Sequence, residues 1–251
     1  MELRDFFAAH PRVAIAFSGG VDSSYLLYAA LQKAESVGVY YVRSAFQPEF
    51  EADDALRLAR ELGASVTVLR ADVLADARVA DNPAERCYYC KKIILAAIRA
   101  QAEKDGYTVL LDGTNASDDT ADRPGWRALR EEGVLSPLRL CGLTKAEIRR
   151  LSQEAGLFTA SKPAYACLAT RIPCGEQITR EKLAAVEAAE SALFAMGFRD
   201  FRVRTPGGAA LVQVTADQTA LAREKWNAIR AALSPLFTRV ELDAKERNRS
   251  L

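Results

Sequence analysis

At 251 residues, the chain can hold one large hydrophobic core, or one core with a small appended domain. Its composition is ordinary for a soluble globular protein, with 49% hydrophobic and 27% charged residues. Thirty-four basic residues against 33 acidic ones leave a net charge of +1, which argues against a nucleic-acid partner held by its backbone, although a local basic patch is compatible with that total.

The first apolar run, residues 13–17, is far too short for a signal peptide or a membrane span. We therefore expect a cytoplasmic protein with no membrane partner. In a reducing cytoplasm, five cysteines are expected to be free, metal-bound or catalytic rather than disulfide-bonded. The single histidine, His10, precedes the first predicted strand and is given no catalytic role.

Short apolar runs alternate with amphipathic helical stretches over the first two-thirds of the chain, which is the pattern of a parallel α/β sheet. The predicted strands are residues 13–17, 38–42, 65–69 and 108–112, and the predicted helices are 22–33, 51–62, 91–103 and 144–155. Thr144 opens the last of these helices, and Glu147 three residues later completes a capping-box pattern.

The remainder of the chain follows a different pattern. Residues 161–175 are rich in proline and glycine, contain two cysteines and predict a loop. After it come a helix, a hairpin, a helix and a strand, at residues 180–196, 201–204 with 210–214, 220–233 and 239–242. This order predicts a second, smaller α/β domain with its own sheet, and places the domain boundary at residue 175.

Residues 18–24 join the first predicted strand to a helix and have the composition of a phosphate-binding loop. They read Ser18, Gly19, Gly20, Val21, Asp22, Ser23 and Ser24. A helix N-terminus favours an anion, glycines allow close backbone approach, and serines add hydroxyl donors. The chain has no Gly-x-x-x-x-Gly-Lys motif, so the loop suits a departing pyrophosphate better than a transferred γ-phosphoryl group. Asp22 is placed to position Mg²⁺ on that pyrophosphate; the alternative is a glycine-rich turn without a ligand.

This segment resembles the SGGxDS signature of the PP-loop ATP pyrophosphatases, an adenine nucleotide α-hydrolase-like superfamily. The resemblance implies a PP-loop ATP-pyrophosphatase domain over residues 1–175, in which ATP adenylates a carboxylate or carbonyl oxygen. It also places Ser44 near the adenosine. Gly113 and Thr114 follow the fourth predicted strand, at the sheet edge where open α/β sheets bind ligands. For Gly113, a plain turn glycine is the alternative.

Three cysteines form a pattern of their own. Cys87 and Cys90 lie one helical turn apart just ahead of a predicted helix, and Cys167 adds a thiol from the 161–175 loop. This pattern has four interpretations: a structural zinc site, a redox pair, a [4Fe–4S] cluster, or buried thiols without a metal. We favour the cluster, because three thiolate ligands leave one iron open for hydrosulfide beside an adenylation loop. Cys141 is interpreted as an apolar filler, and Cys174 as structural.

Over its whole length the chain is similar to the sulfur transferases of nickel-pincer cofactor synthesis, the LarE family that serves lactate racemase. The resemblance rests on residues 18–24, 112–125 with Arg123-Pro124-Gly125, 161–173 and 201–204. Cys174 departs from it, since an aromatic residue is expected there, and residues 243–251 match only loosely. The resemblance implies that ATP adenylates a pyridinium biscarboxylate mononucleotide, a small-molecule partner, and that the carboxylate becomes a thiocarboxylate. Members with three cysteines are associated with a [4Fe–4S] cluster, whereas single-cysteine members give up sulfur from the position of Cys167.

The same resemblance implies roles for charged residues. Arg202, Arg204 and Arg171 would bind the substrate, Cys167 would be catalytic, and Glu190 would act as acid/base or orient a carboxylate. Guanidinium groups suit a phosphate, although a solvated charged face is the alternative from the residues alone. Residues 176–251 would form a substrate-binding or oligomerisation domain of a homo-oligomer. Two rival functions remain, a tRNA thiolation enzyme and a non-enzymatic adenine-nucleotide sensor, and release of AMP and pyrophosphate would exclude the sensor.

Overall fold

The computed structural model describes residues 1–119 and 124–247. Arg123, one of the residues on which the family resemblance rests, lies outside them. The helices are α1 Leu3–Ala9, α2 Val21–Lys33, α3 Glu49–Glu61, α4 Ala77–Ala80, α5 Arg86–Lys104, α6 Pro124–Glu131, α7 Pro137–Leu140, α8 Lys145–Glu154, α9 Arg180–Ala195, α10 Thr219–Glu224 and α11 Trp226–Leu233. The strands are β1 Arg12–Ala16, β2 Ser36–Arg43, β3 Val66–Arg70, β4 Leu110–Leu111, β5 Arg202–Arg204, β6 Ala210–Gln213 and β7 Val240–Leu242.

A four-stranded parallel sheet in the order β3-β2-β1-β4 confirms the predicted α/β fold. Its central strand β1 is fully buried at Val13, Ala14 and Ile15, because helices cover both faces of a parallel sheet. Adjacent residues of β2 point to opposite faces. Tyr41 packs with α1, α2 and α8, whereas Tyr40 packs with α5 and α6.

Several elements differ from their prediction. Helix α1 was not predicted, although Leu3, Phe6 and Phe7 have the i, i+3, i+4 spacing of a buried helix face. The predicted helix 220–233 is divided at Lys225 into α10 and α11. The predicted strand 108–112 pairs only at Leu110–Leu111. The capping box of α8 is confirmed: the hydroxyl of Thr144 accepts from the Glu147 backbone N–H.

Two compact units make up the chain. The first comprises Met1–Val73 and Glu85–Lys162, and the second comprises Leu74–Ala84 and Pro163–Leu251. The sequence places the boundary at residue 175 instead, and it gives no sign that a segment before α5 belongs to the second unit. That segment is held by backbone hydrogen bonds from Ile178 to Ala80 (2.7 Å) and from Gly175 to Asn82 (2.8 Å).

The second unit has its own three-stranded sheet in the order β5-β6-β7. The predicted hairpin is confirmed, since β5 and β6 are antiparallel and Gly207 and Gly208 take positive φ angles between them. A separate core forms where α9 and α11 pack on this sheet, with Leu193 and Ile229 fully buried. None of the helices in residues 1–119 and 124–247 is long and apolar enough to cross a membrane.

Candidate active site

The loop of residues 18–24 runs from the end of β1 into the first turn of α2, whose N-cap is Gly20. The Ser18 and Ser23 hydroxyl oxygens lie 3.0 Å apart, and Ser23 Oγ donates to the Gly20 carbonyl at 3.1 Å. The Ser18 N–H donates to Ser23 Oγ at 3.3 Å. The loop is thus closed on itself at a helix N-terminus, which is a ready anion site.

Two glycines are required by close approach. Gly19 has φ +76°, and a Cβ there would lie 2.5 Å from the Cβ of Ala55 on α3. A Cβ on Gly113 would lie 2.8 Å from the Ser23 backbone nitrogen. Gly113 therefore differs from a plain turn glycine, because the absence of a side chain allows the end of β4 to contact the start of α2.

Asp22 is the charged group at the mouth of the loop. Its Oδ2 accepts from Lys145 Nζ at 2.6 Å, and its Oδ1 accepts from Asn115 Nδ2 at 3.3 Å. Burial raises the pKa of Asp22, and the bond to Lys145 opposes that rise. Lys145 is the first residue of α8, so the capped start of that helix aims its ammonium group at the loop.

Asp112 and Thr114 form the neighbouring edge of the site, at the end of β4. Asp112 is buried and accepts from Ser136 Oγ at 2.6 Å. The Thr114 hydroxyl donates to the other Asp112 oxygen. Asn115 accepts from the Ser117 N–H and donates to Asp22, which ties this edge to the loop. The carboxyl ends of β1 and β4 therefore meet at one polar edge, as parallel topology requires.

A cavity of about 340 Å³ opens beside the loop within the first unit. It is lined on its polar side by Ser18, Gly20, Asp22, Ser23, Gln47, Lys91, Asp112, Gly113, Thr114 and Asp118, and on its apolar side by Ala16, Phe17, Tyr41, Val42, Ile94, Leu95, Ile98 and Leu129. An apolar pocket that ends in anion donors has the chemistry of a nucleotide site.

Three of the predicted nucleotide contacts, Gly19, Ser24 and Ser44, do not line the cavity. The Ser44 hydroxyl donates to Gln47 Oε1 at 2.7 Å, and the Ser24 side chain is fully buried in α2. The others share the cavity: Ser18, Gly20, Asp22, Ser23, Gly113 and Thr114. All nine nucleotide contacts stay predictions.

The five cysteines are free thiols. Cys87 and Cys90 are the second and fifth residues of α5 in the first unit, within the helix and not ahead of it as predicted. Arg86 Nη2 lies 3.6 Å from Cys87 Sγ. Cys167 is half-buried in the second unit, just before a short 3₁₀ turn, Leu168–Arg171. Within the part of the chain that the structure describes, no group of three or more His, Cys, Asp or Glu side chains could hold a metal ion.

The predicted substrate residues lie in the second unit. Arg202 is buried and donates to the carbonyls of Phe201 and Ala164, at 2.6 and 2.8 Å. Burial lowers the pKa of Arg202 to about 10. Arg204 is exposed, with its Nε 2.7 Å from Gln213 Oε1. Arg171 and Glu190 form a buried ion pair, with 2.8 Å between Nε and Oε1.

Sequence reasoning gave no role to Lys145, Lys91 and Gln47, and it placed Asn115 at the sheet edge only as part of residues 112–115. Lys145 carried a usable signal, because Thr144 and Glu147 mark the start of a helix at residue 145. Lys91 lies on α5, whereas Gln47 and Asn115 lie in loops that follow strands. Their positions in the site follow from tertiary packing.

The parallel sheet and the closed serine-glycine loop, with Asp22 beside it, define a PP-loop enzyme that uses ATP. Residues 6–119 match the asparagine synthase family. The chain is 35% identical, over 81% of its own length and 74% of the relative, to the pyridinium-3,5-bisthiocarboxylic acid mononucleotide synthase of Lactiplantibacillus plantarum. It belongs to that LarE-like family of the PP-loop superfamily.

Two further relatives set the range of similarity. An uncharacterized protein of Synechocystis sp. is 36% identical over 86% of this chain and 81% of the relative. The tRNA-specific 2-thiouridylase MnmA of Thermotoga sp. is 23% identical over 60% of this chain and 54% of the relative. The tRNA-specific 2-thiouridylase is thus more distant from this chain than the pyridinium-3,5-bisthiocarboxylic acid mononucleotide synthase.

Proposed function

We propose that this chain is an ATP-dependent, AMP- and pyrophosphate-forming sulfur transferase, and that it converts a carboxylate of pyridinium biscarboxylic acid mononucleotide to a thiocarboxylate in nickel-pincer cofactor synthesis. The observation that carries the proposal is the closed loop 18–24 beside the Asp22–Lys145 pair, in a member of this family.

The reaction has two stages. A substrate carboxylate oxygen bonds to the α-phosphorus of ATP, and the bond to pyrophosphate breaks. A sulfur nucleophile then bonds to the acyl carbon, and the carbon–oxygen bond breaks to release AMP. Adenylation is needed because the carboxylate oxygen is a poor leaving group, whereas AMP is a good one.

The loop's donors support pyrophosphate as the first leaving group. Backbone N–H groups at the start of α2 and the hydroxyls of Ser18 and Ser23 suit phosphate oxygens. Lys145 brings a cation from α8 to the place where the loop sequence itself has none. Such preorganised donors stabilise the charge that develops on pyrophosphate as it leaves.

Mg²⁺ is proposed to accompany ATP, with Asp22 as its protein ligand. Protein Mg²⁺ sites with nucleotides commonly use one or two carboxylates, and phosphate oxygens and water complete the coordination. The residues present fit that type, since Asp22 lies at the loop and Asp118 is near enough to raise the Asp22 pKa further. When bound, the ion would neutralise phosphate charge.

A [4Fe–4S] cluster on Cys87, Cys90 and Cys167 is proposed as the sulfur carrier. Its support is the pattern of three thiols in a sulfur-transferring family. Among the residues that the structure describes, these three thiols do not form a group that could hold a metal ion. No reaction step is therefore derived through the cluster. Anaerobic purification followed by iron and sulfide analysis tests it. Loss of one sulfur per chain, with dehydroalanine at residue 167, would contradict it.

Arg204 and Arg202 are proposed to bind the substrate phosphate, and small molecules are the expected partners, with no nucleic acid or membrane. The near-zero net charge of +1 supports that choice. We further propose a cytoplasmic homo-oligomer. Light scattering after size exclusion should give a multiple of the 27.4 kDa chain mass; a single-chain mass would contradict the oligomer.

The experiment that tests the function measures AMP, pyrophosphate and thiocarboxylate with ATP, Mg²⁺, sulfide and the mononucleotide. Asp22→Asn should abolish AMP formation while leaving the fold intact. Asp53→Asn, at an exposed position on α3, makes the same chemical change away from the cavity and should leave the rates unchanged. Release of ADP and phosphate by the unmodified protein would overturn the proposed reaction.

A further inference from the structure

The side chain of Arg171 contacts the backbone on both sides of the Cys167 Cα. Arg171 Nη1 donates to the carbonyl of Ala166 at 2.8 Å and to the carbonyl of Cys167 at 3.4 Å. Thr170 reinforces the second contact, since its N–H and its hydroxyl donate to the same Cys167 carbonyl at 3.0 and 2.8 Å. Both carbonyls that flank the Cα of Cys167 are therefore fixed.

Glu190 holds that arginine in place. The two side chains form a bidentate pair, with Nε to Oε1 at 2.8 Å and Nη2 to Oε2 at 3.0 Å. Their side chains are only 1% and 2% exposed. Bidentate pairs fix orientation as well as distance, and removing one partner of a buried pair is strongly destabilising.

The remaining acceptor positions of Glu190 are also used. The Val203 N–H donates to Oε1 at 2.9 Å, and the Tyr165 hydroxyl donates to Oε2. An ionised carboxylate has about four acceptor sites, and Glu190 accepts four hydrogen bonds. The Tyr165 ring also lies 4.5 Å from the guanidinium carbon of Arg171, which encloses the pair further.

We propose that Arg171 and Glu190 are positioning residues that fix the Cys167 backbone and so aim its thiol, and that neither binds substrate or moves a proton. Arg171 directs Nε and Nη2 to Glu190 and Nη1 to the Cys167 segment. Glu190 acts on the thiol through Arg171 and through Tyr165, which lies two residues before Cys167. This inference deepens the proposed function, in which Cys167 serves sulfur transfer, but its test measures thiol exposure and is independent of that function.

The test is the alkylation rate of each cysteine by iodoacetamide in the full chain, resolved by peptide mass spectrometry. Glu190→Gln and Arg171→Gln should each speed alkylation of half-buried Cys167 by roughly tenfold or more. Arg171→Gln removes the donors to the Ala166 and Cys167 carbonyls, and Glu190→Gln removes the charge-assisted bonds that hold Arg171 in place. The double variant should show little further increase, because both changes break the same contact. Cys141, in the first unit, supplies the internal reference rate.

Asp200→Asn is the matched control, because it neutralises a carboxylate in another ion pair of the second unit, 2.9 Å from Arg247 Nε. It should leave the Cys167 rate within about twofold of the unmodified chain. A Cys167 rate unchanged in Glu190→Gln would overturn the proposal and favour a proton-transfer role. If Glu190→Gln unfolds, Tyr165→Phe decides: it removes one hydrogen bond to Glu190, and a selective increase at Cys167 supports positioning, whereas no increase overturns it.

Discussion

Substitution of Lys145 tests directly how residues 18–24 and their neighbours bind pyrophosphate. Its Nζ lies 2.6 Å from Asp22 Oδ2, and the two side chains are only 26% and 22% exposed. Methionine keeps the length of the side chain and removes the ammonium group. A hydrogen bond to a charged group contributes about 1.5–3 kcal/mol, and 1.4 kcal/mol is a factor of ten in affinity. Lys145→Met should therefore raise the inhibition constant of pyrophosphate by roughly 10–100-fold.

The same substitution should change the pH dependence of adenylation. Burial raises the pKa of Asp22, and Lys145 lowers it. In Lys145→Met the hydrogen bond that lowers the Asp22 pKa is missing, so burial raises that pKa further. The proposed contact with Mg²⁺ requires an ionised Asp22, so activity should be lost as pH falls through the pKa of Asp22. The acidic limb of the rate profile should move to higher pH in Lys145→Met.

The assay is the initial rate of AMP formation with pyrophosphate or AMP added as product inhibitor. Inhibition by AMP should change little, because we propose that Lys145 faces the pyrophosphate. Lys104→Met, an exposed lysine at the end of α5, controls for loss of a positive charge and should match the unmodified chain. Equal weakening of both inhibitors, or no weakening of either, would refute the placement of Lys145.

Four further outcomes are expected from the structure and from the proposed function. Gly113→Ala would put a Cβ 2.8 Å from the Ser23 nitrogen, so it should cost about 1–3 kcal/mol and lower both Tm and ATP affinity; an unchanged Tm would contradict this. Arg204→Ala should weaken mononucleotide binding by roughly tenfold and spare ATP binding, as measured by calorimetry; equal losses would place it elsewhere. Cys90→Ala should abolish bound iron after anaerobic purification while adenylation survives, and retained iron would remove Cys90 from the ligand set. Intact mass after turnover should show no sulfur lost from Cys167.

The parallel sheet could be predicted because its signals are local. Residues 13–17 and 38–42 are short apolar runs, and the glycines and serines of 18–24 stand at a strand-to-helix junction. The units could be predicted only in part. Residues 74–84 join the second unit through backbone hydrogen bonds to residues 175 and 178, and such long-range pairings leave no pattern in the local sequence.

The site divides in the same way. Asp22 and Ser23 follow from the motif, whereas Lys145 is 123 positions away from Asp22 and reaches it only through the packing of α8 on α2. For Arg171 and Glu190, the role that we propose from the structure differs from the role that the family resemblance implies. A charged residue in a functional motif suggests contact with substrate, but burial and partner count depend on the fold, and these place both side chains in an internal pair.

Transfer of oxygen from substrate to AMP tests the central claim most directly. The mononucleotide is prepared with ¹⁸O in its carboxylates and incubated with ATP, Mg²⁺ and a sulfur donor. If the carboxylate attacks the α-phosphorus and AMP then leaves from the acyl carbon, each thiocarboxylate formed should be matched by one AMP that carries one ¹⁸O. Unlabelled AMP, or ¹⁸O in inorganic phosphate, would contradict adenylation of the carboxylate.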